Sequence, residues 1–170
     1  WLARRFRPTV CGFFGGTVAG GGNDVWGVRA HQLHHPTEVI RGLVIEWARA
    51  RGADVLEMLG PAAGAELGSA LREGVMDAAG AAFDRCDAPR GDQRLWLLNM
   101  RTRQRRWIVW TPDAWSRRVP VCCPFYHEGL LELFSRLPAR WLANRALVRA
   151  WLRSRLPRVA GVRMADKDLP

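Results

Sequence analysis

Lysine is almost missing from this 170-residue chain: Lys167 is the only one, so the formal net charge of +10 is carried by arginine. Clustered cations favour anionic partners, because they displace counterions from phosphates. The same abundance of Ala, Gly and Arg is also what a GC-rich genome produces, so the charge names no partner, and nucleic acid is not the expected one. No apolar run approaches the roughly 20 residues of a membrane helix, and no charged start followed by an apolar run and a cleavage site reads as a secretion signal. The expectation is a cytoplasmic protein with no membrane partner. Four cysteines, Cys11, Cys86, Cys122 and Cys123, show no C-x-x-C spacing, and the adjacent pair does not bridge without strain. Reduced, buried thiols are the simplest reading. Neither G-x-x-x-x-G-K-[ST] nor a clean G-x-G-x-x-G is present, and no repeat or low-complexity tract appears.

What is present suits one domain: 48% apolar residues and nine tryptophans are ample for a core. The chain opens on Trp1 without an initiator methionine, and its first ten residues read like the tail of a helix feeding a strand. We therefore expect a single partial domain over 1–170 whose N-terminal part is missing. Residues 11–24 have loop composition, dense in glycine. A helix is expected from Thr37, which can cap it, with Val39, Ile40, Leu43, Val44 and Trp47 as its apolar stripe and Gly52 as its end. Residues 54–59 add at most one short turn. A second helix is expected from Ala65 to Arg85 on the spacing of Leu67, Leu71, Val75, Ala78 and Phe83, and a third from Gln93 to Trp110. Thr111-Pro112-Asp113 reads as a break before a short strand around Val119 to Cys123. Helices over 128–136 and 140–155 close the chain, separated by Leu137-Pro138. The fold class expected is mainly α with one or two short strands, as part of an α/β domain whose main sheet lies upstream.

Four groups of residues invite a chemical reading. Glycines before a helix can cradle phosphate with backbone N–H groups, but glycine runs are common, and on spacing alone an ordinary loop is the expectation. His31, His34 and His35 have the spacing of a metal-binding helix with Glu38 one turn on, but Pro36 argues for a polar surface turn instead. The arginines of 101–106 are either a solvated basic face or an anion site; in an α-helix Arg101 and Arg105 are stacked neighbours and Arg106 turns away. The helix over 140–155 carries Trp141, Leu142, Val148, Trp151 and Leu152 beside Arg145, Arg149 and Arg153. Such helices lie on membranes or nucleic acid, or close a domain with arginine stems over apolar surface, which is the expectation here.

The order N-M-R-T-R-Q-R-R-W-I, then V-P-V-C-C-P-F-Y-H, then L-L-E-L-F-S-R-L-P, between Asn99 and Pro138, resembles the C-terminal part of the asparagine synthetase-like ATP pyrophosphatases. The similarity covers about residues 95–165 well and 10–22 loosely. It implies the C-terminal portion of an α/β, Rossmann-like domain of the adenine nucleotide α-hydrolase type, with ATP and Mg²⁺ as cofactors. It further implies a small-molecule or peptide carboxylate as substrate, and the upstream portion or a glutaminase domain as partner. By this resemblance Arg103, Arg105 and Arg106 stabilise charge on the phosphates. Gly12-Phe13-Phe14-Gly15-Gly16-Thr17-Val18-Ala19-Gly20 is similar to the family's G-F-x-G-D-x-x-x-G loop, so Gly12, Gly15 and Gly16 are the cofactor-binding candidates. Two positions depart from the pattern: Gly16 stands where the family has an acid that helps hold Mg²⁺ and pyrophosphate, and His127 stands at the acidic end of the P-F-[LY]-D turn. His127 is expected to be a weaker helix cap, not a base. The pyrophosphate loop S-G-G-x-D-S is not found; residues 19–24 echo it by chance. The 170 residues alone are therefore expected neither to bind ATP tightly nor to turn over. A degenerate binding or scaffold domain is the alternative, ahead of a basic nucleic-acid module.

Overall fold

A computed structural model describes residues 9–10, 26–59 and 65–161. They are mainly helical, with two strands of 2 residues each. A strand β1 (Thr9–Val10) precedes a 3-10 turn (Ala30–His34) and two long helices, α1 (Thr37–Leu59) and α2 (Ala65–Asp84). Helix α3 (Gly91–Asn99) runs without interruption into a π-helix (Met100–Ile108), followed by α4 (Trp110–Ser116) and β2 (Val121–Cys122). The remainder comprises α5 (Glu128–Arg136), α6 (Ala139–Leu142), α7 (Ala146–Arg155) and α8 (Pro157–Ala160). β1 pairs with β2 in parallel, Thr9 opposite Val121 and Val10 opposite Cys122, which ties the start of the chain to the segment after the arginine cluster. No helix among the described residues is long and apolar enough to cross a membrane.

α1 and α2 lie antiparallel. Arg41 reaches Asp84, Gly80 faces Ile45, and Gly68 faces Leu56, so residue numbers fall on one helix as they rise on the other. The Arg41 guanidinium grips the Asp84 carboxylate through Nε and Nη2 at 2.9 Å each. That hydrogen bond holds the Asp84 carboxyl below its ordinary pKa and raises Arg41. Both side chains are half exposed, which limits the contribution of the pair to stability.

Two apolar clusters stand on either side of α3. The first joins Val28, Leu33, Ile40, Val44, Phe83, Cys86, Leu95 and Leu98. The second joins Trp96, Phe134 and Leu142, with Met100, Leu147 and Val148 against them. Successive residues of α3 thus face opposite cores, Leu95 and Leu98 into one and Trp96 into the other, and this makes α3 the central element. Trp47 is half buried, its ring tilted at 56° against that of Trp26 with centroids 5.0 Å apart. The expected stripes hold at Ile40, Val44 and Phe83, but Val39 and Ala78 are exposed.

Several expected boundaries are overturned. Gly52 does not end α1, which continues to Leu59, because Gly52 is buried against Arg72 and Val75 of α2. The Pro36 carbonyl, not Thr37, takes the capping place: it accepts from the N–H groups of Val39 and Ile40 at 3.0 and 3.2 Å. Thr111-Pro112-Asp113 is no break. Pro112 is the third residue of α4, where a missing N–H is harmless. The single helix expected over 140–155 is broken, since Asn144 and Arg145 take left-handed backbone, φ 51° and 58°, at an order of 1–2 kcal/mol each for residues other than glycine.

Candidate functional site

The arginine cluster lies on the π-helix, not on an α-helix as its spacing suggested. A local cause is Thr102, whose Oγ1 donates to the Leu98 carbonyl at 2.6 Å. That carbonyl is the acceptor the Thr102 N–H would use in α-geometry, and such back-bonding disturbs the helical ladder. The wider turn closes with Val109 N–H donating to the Gln104 carbonyl, five residues back, at 3.0 Å. π-turns are rare and concentrate at functional sites.

The winding changes which side chains share a face. In a π-turn the line of a residue falls between the fourth and fifth residues on, so Arg105 and Arg106 flank the line of Arg101 instead of Arg105 alone sharing it. On the buried side Asn99, the last residue of α3, and Gln104 of the π-helix are only 3% and 2% exposed. The Asn99 Oδ1 has no hydrogen-bond partner among the described residues. Arg101 is anchored, its Nη1 donating to the Arg85 carbonyl at 2.7 Å. Arg103 is half buried, and Arg105 and Arg106 are exposed. Among the described residues none of these three has an acidic partner within ion-pair distance, whereas Arg41, Arg49, Arg51, Arg90, Arg117 and Arg136 each have one. Like charges on one segment without a counter-charge favour an anion beside them.

Gly12, Gly15 and Gly16 lie outside the described residues, as does Cys11. The three histidines do not form the helical face their spacing allows. His31 and His34 lie on a 3-10 turn and His35 sits beyond it in extended backbone, φ −69° and ψ 157°; all are exposed. His34 and His35 instead border a cleft of about 430 Å³ between the starts of α1 and α3. There Arg90 donates from Nε to Asp92 at 3.0 Å and from Nη2 to the Leu137 carbonyl at 3.0 Å, so its guanidinium clamps the α3 start to the α5–α6 link. With its donors engaged in this way, Arg90 is a structural clasp. Among the described residues no group of three His, Cys, Asp or Glu side chains is placed to hold a metal ion.

His127 takes the N-cap of α5: its carbonyl accepts from Leu130 and Leu131 at 3.0 and 3.1 Å, and its side chain makes no cap hydrogen bond. The substitution His127→Asp supplies that acceptor and a negative charge at a helix start. We expect a gain of about 1 kcal/mol in urea unfolding; no gain would mean the imidazole already serves as a cap.

The cysteines divide, and the expectation of buried thiols holds for Cys86 alone among those described. Cys86 is sealed in the first core with Sγ 3.3 Å from the Ala82 carbonyl, while Cys122 is exposed and Cys123 half buried. Burial pushes the Cys86 thiol above its ordinary pKa, outweighing the nearby arginines. Iodoacetamide on the native protein should therefore modify Cys122 and spare Cys86, as peptide mass spectrometry would show; equal labelling would contradict this packing.

Sequence reasoning found the arginines but missed Asn99 and Gln104. No protein-family model, no curated protein and no solved structure matches the chain.

Proposed function

We propose that this chain is the C-terminal portion of an asparagine synthetase-like, ATP-using ligase domain of α/β, Rossmann-like type. In it Arg103, Arg105 and Arg106 stabilise charge on the departing pyrophosphate. The observation that carries the reading is the gathering of three guanidinium groups without an acidic partner among the described residues on one π-helical segment. The motif order from Asn99 to Pro138 supports it. In this reaction class a carboxylate attacks the α-phosphate of ATP, pyrophosphate leaves, and ammonia or an amine displaces AMP from the acyl-adenylate. Adenylation makes a poor electrophile reactive. The chain's own part is electrostatic: fixed cations meet charge that grows on the leaving phosphates. Gly16 offers no carboxylate at the position where the resembled family holds Mg²⁺, and among the described residues no group of three His, Cys, Asp or Glu side chains is placed to hold the ion.

A second reading, a degenerate binding or scaffold domain, draws on Gly16 and on His127, whose side chain leaves the α5 cap unmade. Isothermal titration with Mg·ATP, pyrophosphate and the Arg103→Gln/Arg105→Gln/Arg106→Gln triple variant tests both. We expect weak, salt-sensitive binding of ATP and pyrophosphate by the parent chain, weaker than micromolar for ATP, and none by the variant. Equal binding by parent and variant would defeat the phosphate role of these arginines.

A further inference from the structure

From 133 to 165 there are eight arginines and no Asp or Glu, and the one ion pair of that stretch among the described residues, Arg136 with Glu132, lies at its start. α7 packs on the core through its first turn, where Leu147 and Val148 lie against Trp96, Phe134 and Leu142, and Leu152 beyond them is half buried. One turn on, the same apolar face continues past the edge of that core. Trp151 is 54% exposed, and Leu156 and Val159 of the α7–α8 corner are 44% and 55% exposed. Around them Arg149, Arg153, Arg155 and Arg158 are exposed, and none has an ion-pair partner among the described residues. The expectation that this helix closes the domain is thus met by its first half only.

We propose that the α7–α8 corner is a docking surface for an anionic lipid bilayer, with Trp151, Leu156 and Val159 entering the interface and the arginines pairing with headgroup phosphates. Charge complementarity selects an anionic partner, and side-chain type selects among anionic partners. Arginine and tryptophan suit nucleic acid as well as lipid, but exposed leucine and valine have no π-face to stack on a base. They gain by leaving water for an acyl boundary. Arginine stems let the charged heads stay at the headgroup level while the apolar side chains sink. The charge adds attraction to anionic leaflets that salt screens. No spanning helix is needed, in keeping with the short elements here.

The test is co-sedimentation of the full 170-residue chain with vesicles of phosphatidylcholine alone and of phosphatidylcholine with phosphatidylglycerol. We expect binding to the anionic vesicles, little to the neutral ones, and weakening as salt is raised. Because the three apolar side chains are exposed, the variant Trp151→Ser/Leu156→Ser/Val159→Ser should keep its thermal midpoint and lose roughly tenfold or more in partition. Arg149→Gln/Arg153→Gln/Arg155→Gln/Arg158→Gln should lose the preference for anionic lipid. Vesicle binding unchanged in the serine variant would overturn the proposal, because charge alone would then suffice. So would absence of vesicle binding, whether the chain instead shifts single-stranded RNA or buries this face in a dimer by light scattering.

Discussion

Replacing Phe83 by alanine should remove about 3–5 kcal/mol of stability. Phe83 is completely buried, 0% exposed, and is the largest of the fully buried side chains among the described residues. It lies near the end of α2 and packs with Ile40 and Val44 of α1 and Leu95 and Leu98 of α3, so three helices meet in one cluster. The loss has two parts, the transfer of an aromatic ring to water and the void left where three helices cannot all relax together. Because α3 continues directly into the π-helix, the arginine segment should also be felt: the variant should bind pyrophosphate less well under conditions where most molecules are still folded. A urea midpoint shift corresponding to less than about 1 kcal/mol would mean that the three helices do not share this core.

The second large effect is expected at Gly91, the first residue of α3. An added Cβ there would stand 2.9 Å from the Thr37 Cα and 2.9 Å from the Ile40 Cδ1. The isoleucine methyl can move, but the Thr37 backbone at the start of α1 cannot without shifting that helix. Gly91→Ala should therefore cost about 1–3 kcal/mol, the range for overpacking a well-filled site. It should also loosen the neighbouring clasp of Arg90 on Asp92 and Leu137. A neutral or stabilising Gly91→Ala, as glycine-to-alanine changes in open helical positions usually are, would refute the close approach of α1 and α3.

Legibility of this fold followed the range of the forces involved. α2 and α5 were readable because their stop signals are local: a polar break after Asp84, and Leu137-Pro138 after Arg136. Gly52 misled because its neighbours in sequence advise a stop while its neighbours in space, Arg72 and Val75, make a small residue useful inside a helix. Pro112 misled because its effect depends on its place in a helix, not on its identity. Asn144 is a residue type that tolerates left-handed backbone, but Arg145 is not, so the sequence hints at the first of the pair and not at the second. At the candidate site the residue types were legible and their disposition was not. Arg103, Arg105 and Arg106 stand out as a string, but their arrangement follows from a π-winding that hydrophobic periodicity near 3.6 does not detect. The Thr102 hydroxyl bond and the inward carboxamides of Asn99 and Gln104 are the residues that give the string its geometry.

The central claim is that the guanidinium groups of Arg103, Arg105 and Arg106 meet a polyphosphate. Arginine Nε–Hε resonances, followed by NMR while pyrophosphate is titrated into the 170-residue chain, test it directly. Specific, saturating shifts at these three positions, larger than those at Arg149 and Arg153 on α7, are the result predicted. Uniform shifts across all arginines, or none at 103, 105 and 106, would contradict it.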